Sequence, residues 1–159
     1  MFSVHTVSLH GLTGHLLTVT VTVTVTATAV DGPPVITLTG ATRYDARDLR
    51  DRVHAALANA GHRNRHNVEV NVAPASTTPP PDAAVAAAVL AATIGADLRR
   101  LADTAVLGDV GLDGRLRPTR GVLPAVQAAA ELGIRRVIVP AADLDQAALV
   151  DQVDVLGAT

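Results

Sequence analysis

The sequence predicts a single α+β domain, and three patterns in it carry that prediction. Thr and apolar residues alternate strictly over Thr18–Ala29, which is the period of a β-strand with one buried face. Apolar residues recur at helical spacing within 49–60 and again within 122–130. The C-terminal part alternates strand, helix and strand, which favours right-handed parallel crossovers. We therefore expect a long N-terminal antiparallel hairpin followed by C-terminal strand–helix–strand units, in one domain over residues 1–159.

The long alternating segment dominates the N-terminal half. Val4–His10 predicts a shorter strand before it. Val35–Thr39, which follows a turn at Asp31–Pro34, is expected to form a hairpin with the long strand. A straight strand of this length would span about 40 Å, so we expect a bend or bulge. The threonine face, Thr18–Thr28, is either a ligand-binding face or a solvated or edge face of the sheet.

Two helices and a further strand are predicted next. Thr42–Asp45 resembles a capping box, and the helix that it opens ends at Gly61. The outer face of this helix mixes Arg and Asp, which indicates a solvated surface with weak ion pairs. Asn67–Ala73 alternates Val with polar residues and predicts a strand. After a proline-rich segment, Asp82 is expected to cap an alanine-rich helix, Ala83–Ile94, which suits tight packing against a sheet.

The central stretch, residues 106–140, predicts a strand, a tight turn, a short strand, a helix and a strand. Asp113-Gly114 is the turn signal, because Gly tolerates the positive φ that a hairpin turn needs. Pro124 suits the first turn of the helix and Gly133 its C-terminal end. Val137–Val139 is β-branched throughout and is closed by Pro140, which indicates a buried strand.

Composition excludes several kinds of chemistry. All 13 basic residues are Arg, and the chain has no Lys and no Cys, so a Lys nucleophile, a Schiff base, a disulfide and a thiolate zinc site are excluded. Net charge is −2, unlike a dedicated nucleic-acid binder. Aromatic residues make up 1% of the chain, so the core is expected to consist of Val, Leu, Ile and Ala. Because no signal peptide and no long apolar run is found, we expect a cytoplasmic protein without a membrane span.

One segment also resembles a known family. Gly108–Pro124 reads Gly-Asp-Val-Gly-Leu-Asp-Gly-Arg-Leu-Arg-Pro-Thr-Arg-Gly-Val-Leu-Pro. It resembles the signature of the N-terminal domain of magnesium-chelatase-like AAA+ proteins, the ComM/YifB family. Shorter segments resemble the same domain at Arg50–Ala56, Val68–Ser76 and Ala141–Leu156. The resemblance implies a fold similar to the Lon proteolytic domain and an AAA+ ATPase module that follows it.

The sequence departs from the family pattern at two places. Gly40–Arg43 replaces the family's Gly-Leu-Pro-Asp, and Thr77–Asp82 replaces a longer loop, Pro-Lys-x-Gly-Ser-x-Phe-Asp, of which the Asp remains. In Lon-type proteases this loop supplies a Ser nucleophile and a later helix supplies its Lys partner. The matching places here lie near Pro80 and at Leu123. Without any Lys, a Ser–Lys pair cannot form, so the resemblance implies a domain without peptidase activity.

The ATPase signature is missing as well. A phosphate-binding loop reads Gly-x-x-x-x-Gly-Lys-Ser/Thr, and no such string occurs. We therefore expect the AAA+ module to be absent from residues 1–159 and to be a partner in cis or in trans. No catalytic residue, cofactor or metal site is predicted.

Two acidic residues flank the predicted turn. Asp109 and Asp113 are either paired carboxylates for metal binding or acid–base work, or ordinary turn and strand-edge residues, which the pattern favours. Gly108, Gly111 and Gly114 are evenly spaced but do not make a dinucleotide-binding fingerprint.

Five arginines near the family signature are a candidate interaction patch for DNA phosphate or a neighbouring subunit. They are Arg115, Arg117, Arg120, Arg135 and Arg136. The alternative is a set of scattered surface arginines paired with acidic residues, which the negative net charge and the scarcity of aromatic residues favour.

The histidines suggest two weaker sites. His62 and His66 are spaced four apart, and His5 and His15 are positioned to meet across a hairpin. Neither pair has an evident third ligand, so the sequence does not favour metal binding.

The sequence therefore favours a catalytically inert Lon-like accessory domain of a ComM-type AAA+ ATPase. Such a domain would serve assembly or engagement of a partner or substrate, within DNA processing, and a homo-oligomer is compatible with this role. The alternative is a diverged standalone scaffold or small-ligand-binding protein that uses the Thr18–Thr28 face or a cleft at Pro79–Pro81.

Overall fold

The structure is a computed structural model, which describes residues 2–24, 35–40, 43–62, 66–75, 82–96 and 101–159. Nine strands and four α-helices lie in these ranges. In chain order they are β1 (Phe2–His10), β2 (Thr13–Thr24), β3 (Ile36–Thr39), α1 (Arg43–Asn59), β4 (Asn67–Ala73), α2 (Asp82–Ile94), β5 (Thr104–Val106), β6 (Asp109–Val110), β7 (Leu116–Arg117), α3 (Val122–Glu131), β8 (Arg136–Pro140), α4 (Leu144–Ala147) and β9 (Asp154–Ala158). A 3-10 turn, Ala141–Asp143, leads into α4.

Seven strands form one mixed sheet in the order β3-β4-β2-β1-β5-β8-β9. The pairs β1–β2 and β2–β4 are antiparallel, whereas β3–β4, β1–β5, β5–β8 and β8–β9 are parallel. The predicted strand–helix–strand units of the C-terminal half are thus confirmed as a parallel β5–β8–β9 unit linked by α3 and α4. Strands β6 and β7 make a separate hairpin. The architecture confirms the mixed α+β class, and the likeness to the Lon domain stays a prediction.

The N-terminal hairpin has a different partner from the one predicted. β2 pairs with β1 and β4, and Val35–Thr39 contributes β3, which pairs in parallel with β4. The predicted hairpin between the long strand and Val35–Thr39 is therefore wrong. Period-two alternation identifies the buried face of a strand but not its neighbour, and the segment 25–34 between them lies outside the described residues.

β2 is an interior strand, so the edge interpretation of the threonine face is also wrong. Its register with β1 and β4 runs without interruption, so no bulge occurs over its paired residues. Val19 and Val21 are fully buried, as the alternation predicts, and Thr18 and Thr20 on the other face are half-buried. The remainder of the predicted strand, up to Ala29, lies outside the described residues.

The helices cover both faces of the sheet and enclose two apolar clusters. α1 and α2 lie on one face, where Leu49, Val53 and Val89 are fully buried in one apolar cluster. α2 packs on β1, β2 and β4, and α1 packs on α2 and β3. α3 and α4 lie on the other face, where Val126 of α3 and Val137 of β8 are fully buried in the second cluster. Alanine-rich α2 packs directly on β1 and β2, as its composition predicts.

The predicted ends of α3 are confirmed. Gly121 lies at the N-cap with φ of 78°. At the other end, Gly133 has φ of 85°, and the Ile134 N–H donates to the Ala129 carbonyl at 3.0 Å, which closes the helix with a left-handed residue. In the described ranges, each helix is too short or too polar to cross a lipid bilayer.

Candidate functional site

An ion pair joins the two helices on one face of the sheet. Arg52 of α1 reaches Asp82, the first residue of α2, with Nε at 2.7 Å from Oδ2 and Nη2 donating to Oδ1 at 3.2 Å. This fork geometry is the strong form of an Arg–carboxylate contact. The Asp82 side chain is 6% exposed and the Arg52 side chain 45% exposed, so water reaches the guanidinium but hardly reaches the carboxylate.

The surroundings of this pair work against the ionised form of Asp82. Burial raises the pKa of Asp82, and the nearby charge of Asp109 adds to that rise, while the hydrogen bond and charge of Arg52 oppose it. The pKa of Arg52 is raised, first by its hydrogen bond to Asp82 and further by the charges of Asp109 and Asp48. Asp82 is thus the carboxylate in contact with Arg52, while Asp109 and Asp48 act on it through their charge.

The sequence did not predict this pair. The mixed Arg and Asp face of α1 predicts solvated residues with weak pairs; Arg52 is exposed as predicted, but its partner is a buried carboxylate rather than an exposed one. The predicted alanine-rich helix is confirmed, with Asp82 as its first residue, and the capping role predicted for Asp82 stays a prediction. The signal that was available is the aspartate itself, because it is the residue of the family loop that this sequence retains.

The β6–β7 hairpin confirms the predicted turn. Asp113 Oδ1 accepts a hydrogen bond from the Arg115 N–H at 3.2 Å, and its Oδ2 lies 2.6 Å from Nη2 of Arg117. Gly114 has φ of 83°, and the Gly111 N–H donates to the Arg115 carbonyl at 2.9 Å. Since Asp113 is committed to the turn and to Arg117, these contacts favour turn chemistry over a paired-carboxylate site.

The hairpin packs firmly on the C-terminal end of α1. Asn59 Nδ2 donates to the Leu112 carbonyl at 2.5 Å. A Cβ built on Gly114 would approach the Ala56 carbonyl oxygen to 2.8 Å, so only a glycine allows the backbone to come this close. The family signature thus forms a turn that is anchored to a helix.

The structure divides the five predicted arginines into two groups. Arg115, Arg117 and Arg120 lie on and after the hairpin, beyond the end of β5, and all three are exposed. Arg135 and Arg136 lie at the start of β8, where Arg136 is paired in register with Thr104 at the start of β5. The two groups therefore occupy opposite ends of the parallel strands. Whether either group contacts a partner stays a prediction.

The hairpin arginines differ in their own partners. Arg117 is held by Asp113, whereas no ion pair to any described acidic residue is found for Arg115 or Arg120. Those two guanidinium groups are the ones on this surface that are available to a partner within the described structure.

The histidines do not meet as predicted. His5 lies opposite Thr18, with Nδ1 at 3.2 Å from the Thr18 hydroxyl and Nε2 at 3.0 Å from the Ala102 carbonyl. His15 instead packs edge-on against His10, with ring centroids 5.2 Å apart. The predicted His5–His15 contact is therefore wrong. In the ranges that the structure describes, no three His, Asp or Glu side chains are grouped to hold a metal ion.

The alternative ligand sites can be followed only in part. On the threonine face, Thr18 bonds His5, and the Thr20 hydroxyl lies 3.4 Å from that of Ser3, so described cross-strand partners occupy these hydroxyls. The Pro79–Pro81 segment lies outside the described residues.

Comparison with known proteins identifies the family. The family model "Subunit ChlI of Mg-chelatase" matches residues 23–143, well over half of the chain, and this range includes the Arg52–Asp82 pair and the whole hairpin. The chain belongs to the ChlI family of Mg-chelatase-like proteins. The predicted resemblance is thereby confirmed at the level of the family.

Individual relatives of this ChlI-family chain support the narrower ComM/YifB group. The uncharacterized protein Rv2897c of Mycobacterium tuberculosis is 39% identical over 157 residues, covering 96% of this chain and 30% of the relative. Competence protein ComM of Haemophilus influenzae is 32% identical over 124 residues, covering 76% of this chain and 24% of the relative. The uncharacterized protein YifB of Escherichia coli is 28% identical over 152 residues, covering 93% and 29% respectively. The ChlI-family chain thus spans less than a third of the length of these relatives.

Proposed function

We propose that this chain is a catalytically inert, Lon-like accessory domain of a ComM-type AAA+ protein, and that it contacts its partner through the β6–β7 hairpin. The observation that carries the proposal is the anchored hairpin, which holds Arg115 and Arg120 exposed at the centre of the family signature. Arg is enriched at protein interfaces, and a contact residue on a fixed turn loses little conformational freedom on binding.

The residue inventory supports the inert character. The chain has no Lys to activate a Ser nucleophile, and its phosphate-binding loop is absent. The one carboxylate retained from the family loop, Asp82, is buried and forked to Arg52 rather than open to a substrate. We accordingly expect neither ATP hydrolysis nor casein cleavage by the 159-residue chain, measured with a phosphate-release assay and a fluorescent casein substrate.

The partner proposed is an AAA+ module, in cis or in trans. Light scattering of the chain alone and mixed with an AAA+ module encoded in the same genome tests this. We expect a complex with the wild-type chain and at least a tenfold weaker complex with Arg115→Glu/Arg120→Glu. The matched control is Arg47→Glu/Arg50→Glu, which reverses two charges on α1, outside the five predicted arginines, and should leave the complex intact.

A contact with DNA phosphate through the same two arginines is a second proposal, because both guanidinium groups are exposed and neither forms an ion pair with a described acidic residue. Anisotropy of a labelled duplex at several salt concentrations separates it from the first. A plot of log affinity against log salt concentration has a negative slope for DNA binding, and each lost phosphate contact makes that slope less steep by about 0.9. If Arg115→Glu/Arg120→Glu binds the module and the duplex as tightly as its control does, the hairpin is not the contact surface.

A further inference from the structure

An apolar cleft lies beside the hairpin, separate from the charged pair. It has a volume of about 230 Å³ and opens between α1, α2 and the β6–β7 hairpin, above the sheet. Ala56 and Ala60 form one wall, and Ala87 and Leu90 form the other. The floor consists of strand residues of β5, β8 and β9. The cleft is thus built by four parts of the fold that are far apart in the sequence.

Small side chains leave this space open. Alanines occupy the facing positions of both helices, where leucines would have filled the gap. The hairpin comes close to α1 at Gly114, and that contact roofs the cleft at one end. Val106 of the floor and Val110 of the hairpin are nearly fully buried, which means that the space extends inward to the apolar core.

Among the described residues that line the cleft, none carries a formal charge. His62 at the mouth is the titratable residue among the lining side chains, and it is exposed. Asp82, which precedes the lining residue Ala83, is engaged by Arg52. A charged ligand would lose its hydration here without gaining a partner, so the cleft favours a neutral one.

The volume limits the size of the occupant. An apolar protein cavity of about 150 Å³ takes up benzene, so this cleft has room for about nine non-hydrogen atoms by proportion. An α-helix is about 10 Å across and does not enter such a space. The occupant is therefore a single ring or branched hydrocarbon group.

We propose that this cleft is a binding site for a small neutral apolar molecule, which is held by the alanine walls of α1 and α2 and by the hairpin. The site goes beyond the proposed accessory role and does not depend on it.

Titration of the 159-residue chain with toluene, followed by methyl NMR, tests the site. We expect saturable shifts of the methyl signals of Leu90, Leu116 and Ile138, which line the cleft, and none for Leu123 on the opposite face of the sheet. Benzoate has the same ring and a negative charge, and we expect at least tenfold weaker binding.

Two variants distinguish the cleft from unspecific binding. Ala87→Leu in α2 fills the space and should weaken toluene binding at least tenfold. Ala58→Leu, at a half-buried alanine of α1 that does not line the cleft, should leave toluene binding unchanged. Should Ala87→Leu not fold, Leu90→Ala provides a second test, because it enlarges the cleft and should shift the preference from toluene towards naphthalene.

Three results would overturn the site. They are equal toluene binding by wild type and Ala87→Leu, binding of benzoate as tight as that of toluene, and methyl shifts that depend on protein concentration without ligand. The last result would mean that a second copy of the chain covers the cleft.

Discussion

At the position of Asp82, burial and ion pairing act in opposite directions. The carboxylate is almost completely withdrawn from water, while its partner Arg52 remains half exposed. Removing one member therefore has a different consequence from removing the other. A guanidinium left alone at this site is hydrated, whereas a carboxylate left alone is buried without a counter-charge.

We predict that Arg52→Leu lowers the free energy of unfolding by about 3 kcal/mol, because it leaves a buried charge unpaired. Asp82→Asn should cost about 1 kcal/mol, since it removes a charged hydrogen bond but leaves Arg52 in contact with water. Urea unfolding followed by far-UV circular dichroism measures both. The matched control is Arg50→Leu, which breaks the exposed Arg50–Asp51 pair and should cost less than about 0.5 kcal/mol. Equal losses for the two members of the buried pair would contradict this account.

The raised pKa of Asp82 gives the sign of a pH dependence. The folded protein holds the proton on Asp82 more tightly than the unfolded chain does, whose ordinary value is 3.8. The stabilising contribution of the protonated group is present below pH 3.8 and is lost as the pH rises through the folded pKa.

The stability advantage of wild type over Asp82→Asn should accordingly shrink as the pH is raised from 3.8 towards neutrality. Urea midpoints of both proteins over this interval measure the difference, and the comparison cancels the titration of all other groups. An advantage that grows with pH would mean that the attraction of Arg52 outweighs the burial of Asp82.

At the scale of elements, the β6–β7 hairpin depends on one glycine. Gly114 and Gly133 have nearly the same φ, 83° and 85°, but their surroundings differ. A Cβ at Gly133 meets nothing within 4 Å, whereas at Gly114 it meets Ala56 of α1 and Ala60, the residue after α1, each at 2.8 Å. Comparing substitutions at these two glycines therefore separates the cost of backbone strain from the cost of lost packing.

Gly133→Ala should cost about 1 kcal/mol from left-handed backbone strain alone. Gly114→Ala should cost about 1–3 kcal/mol more, because the hairpin must lift away from α1. Urea unfolding gives both values, and the amide signal of Asn59 reports whether its side chain still reaches Leu112. Similar costs for the two variants would show that the hairpin is not packed as described.

Local sequence patterns predict helices, strands and turns well, because these elements are determined mainly by residues close together in the sequence. Asn67–Ala73 was predicted with its bounds, and the turn at Asp113-Gly114 and both ends of α3 were found from their residue types. The neighbours of β2 and the partner of Arg52 could not be found in this way. Arg52 and Asp82 are 30 residues apart, and nothing in the spacing of either helix encodes their contact. The five arginines are close in the sequence, but α3 lies between Arg120 and Arg135 and returns the chain to the opposite end of the parallel strands.

At the scale of the whole molecule, β1 and β2 contribute to both apolar clusters. Leu17 faces the cluster under α1 and α2, while the adjacent Leu16 packs against the cluster under α3. The two clusters therefore share one sheet and cannot be loosened independently.

We predict that Val53→Ala in α1 and Val126→Ala in α3 each lower the free energy of unfolding by about 2–3 kcal/mol, from lost apolar burial and the cavity left behind. Both substitutions should lower the midpoint of a single unfolding transition. Far-UV circular dichroism and methyl NMR can follow this transition, since neither needs aromatic residues. Separate transitions for methyl groups of the two clusters would contradict a shared sheet.

The place of β1 in the sheet also bears on how the chain folds. β1 forms a local hairpin with β2, but its other edge pairs with β5, where His5 lies opposite Ala105. During synthesis on the ribosome, that edge stays unpaired until the chain has grown by some hundred residues. Closing so long a loop is slow, and an open strand edge invites pairing with other chains in the meantime. The nascent hairpin is therefore the part of this domain that most needs shielding before its last neighbours arrive.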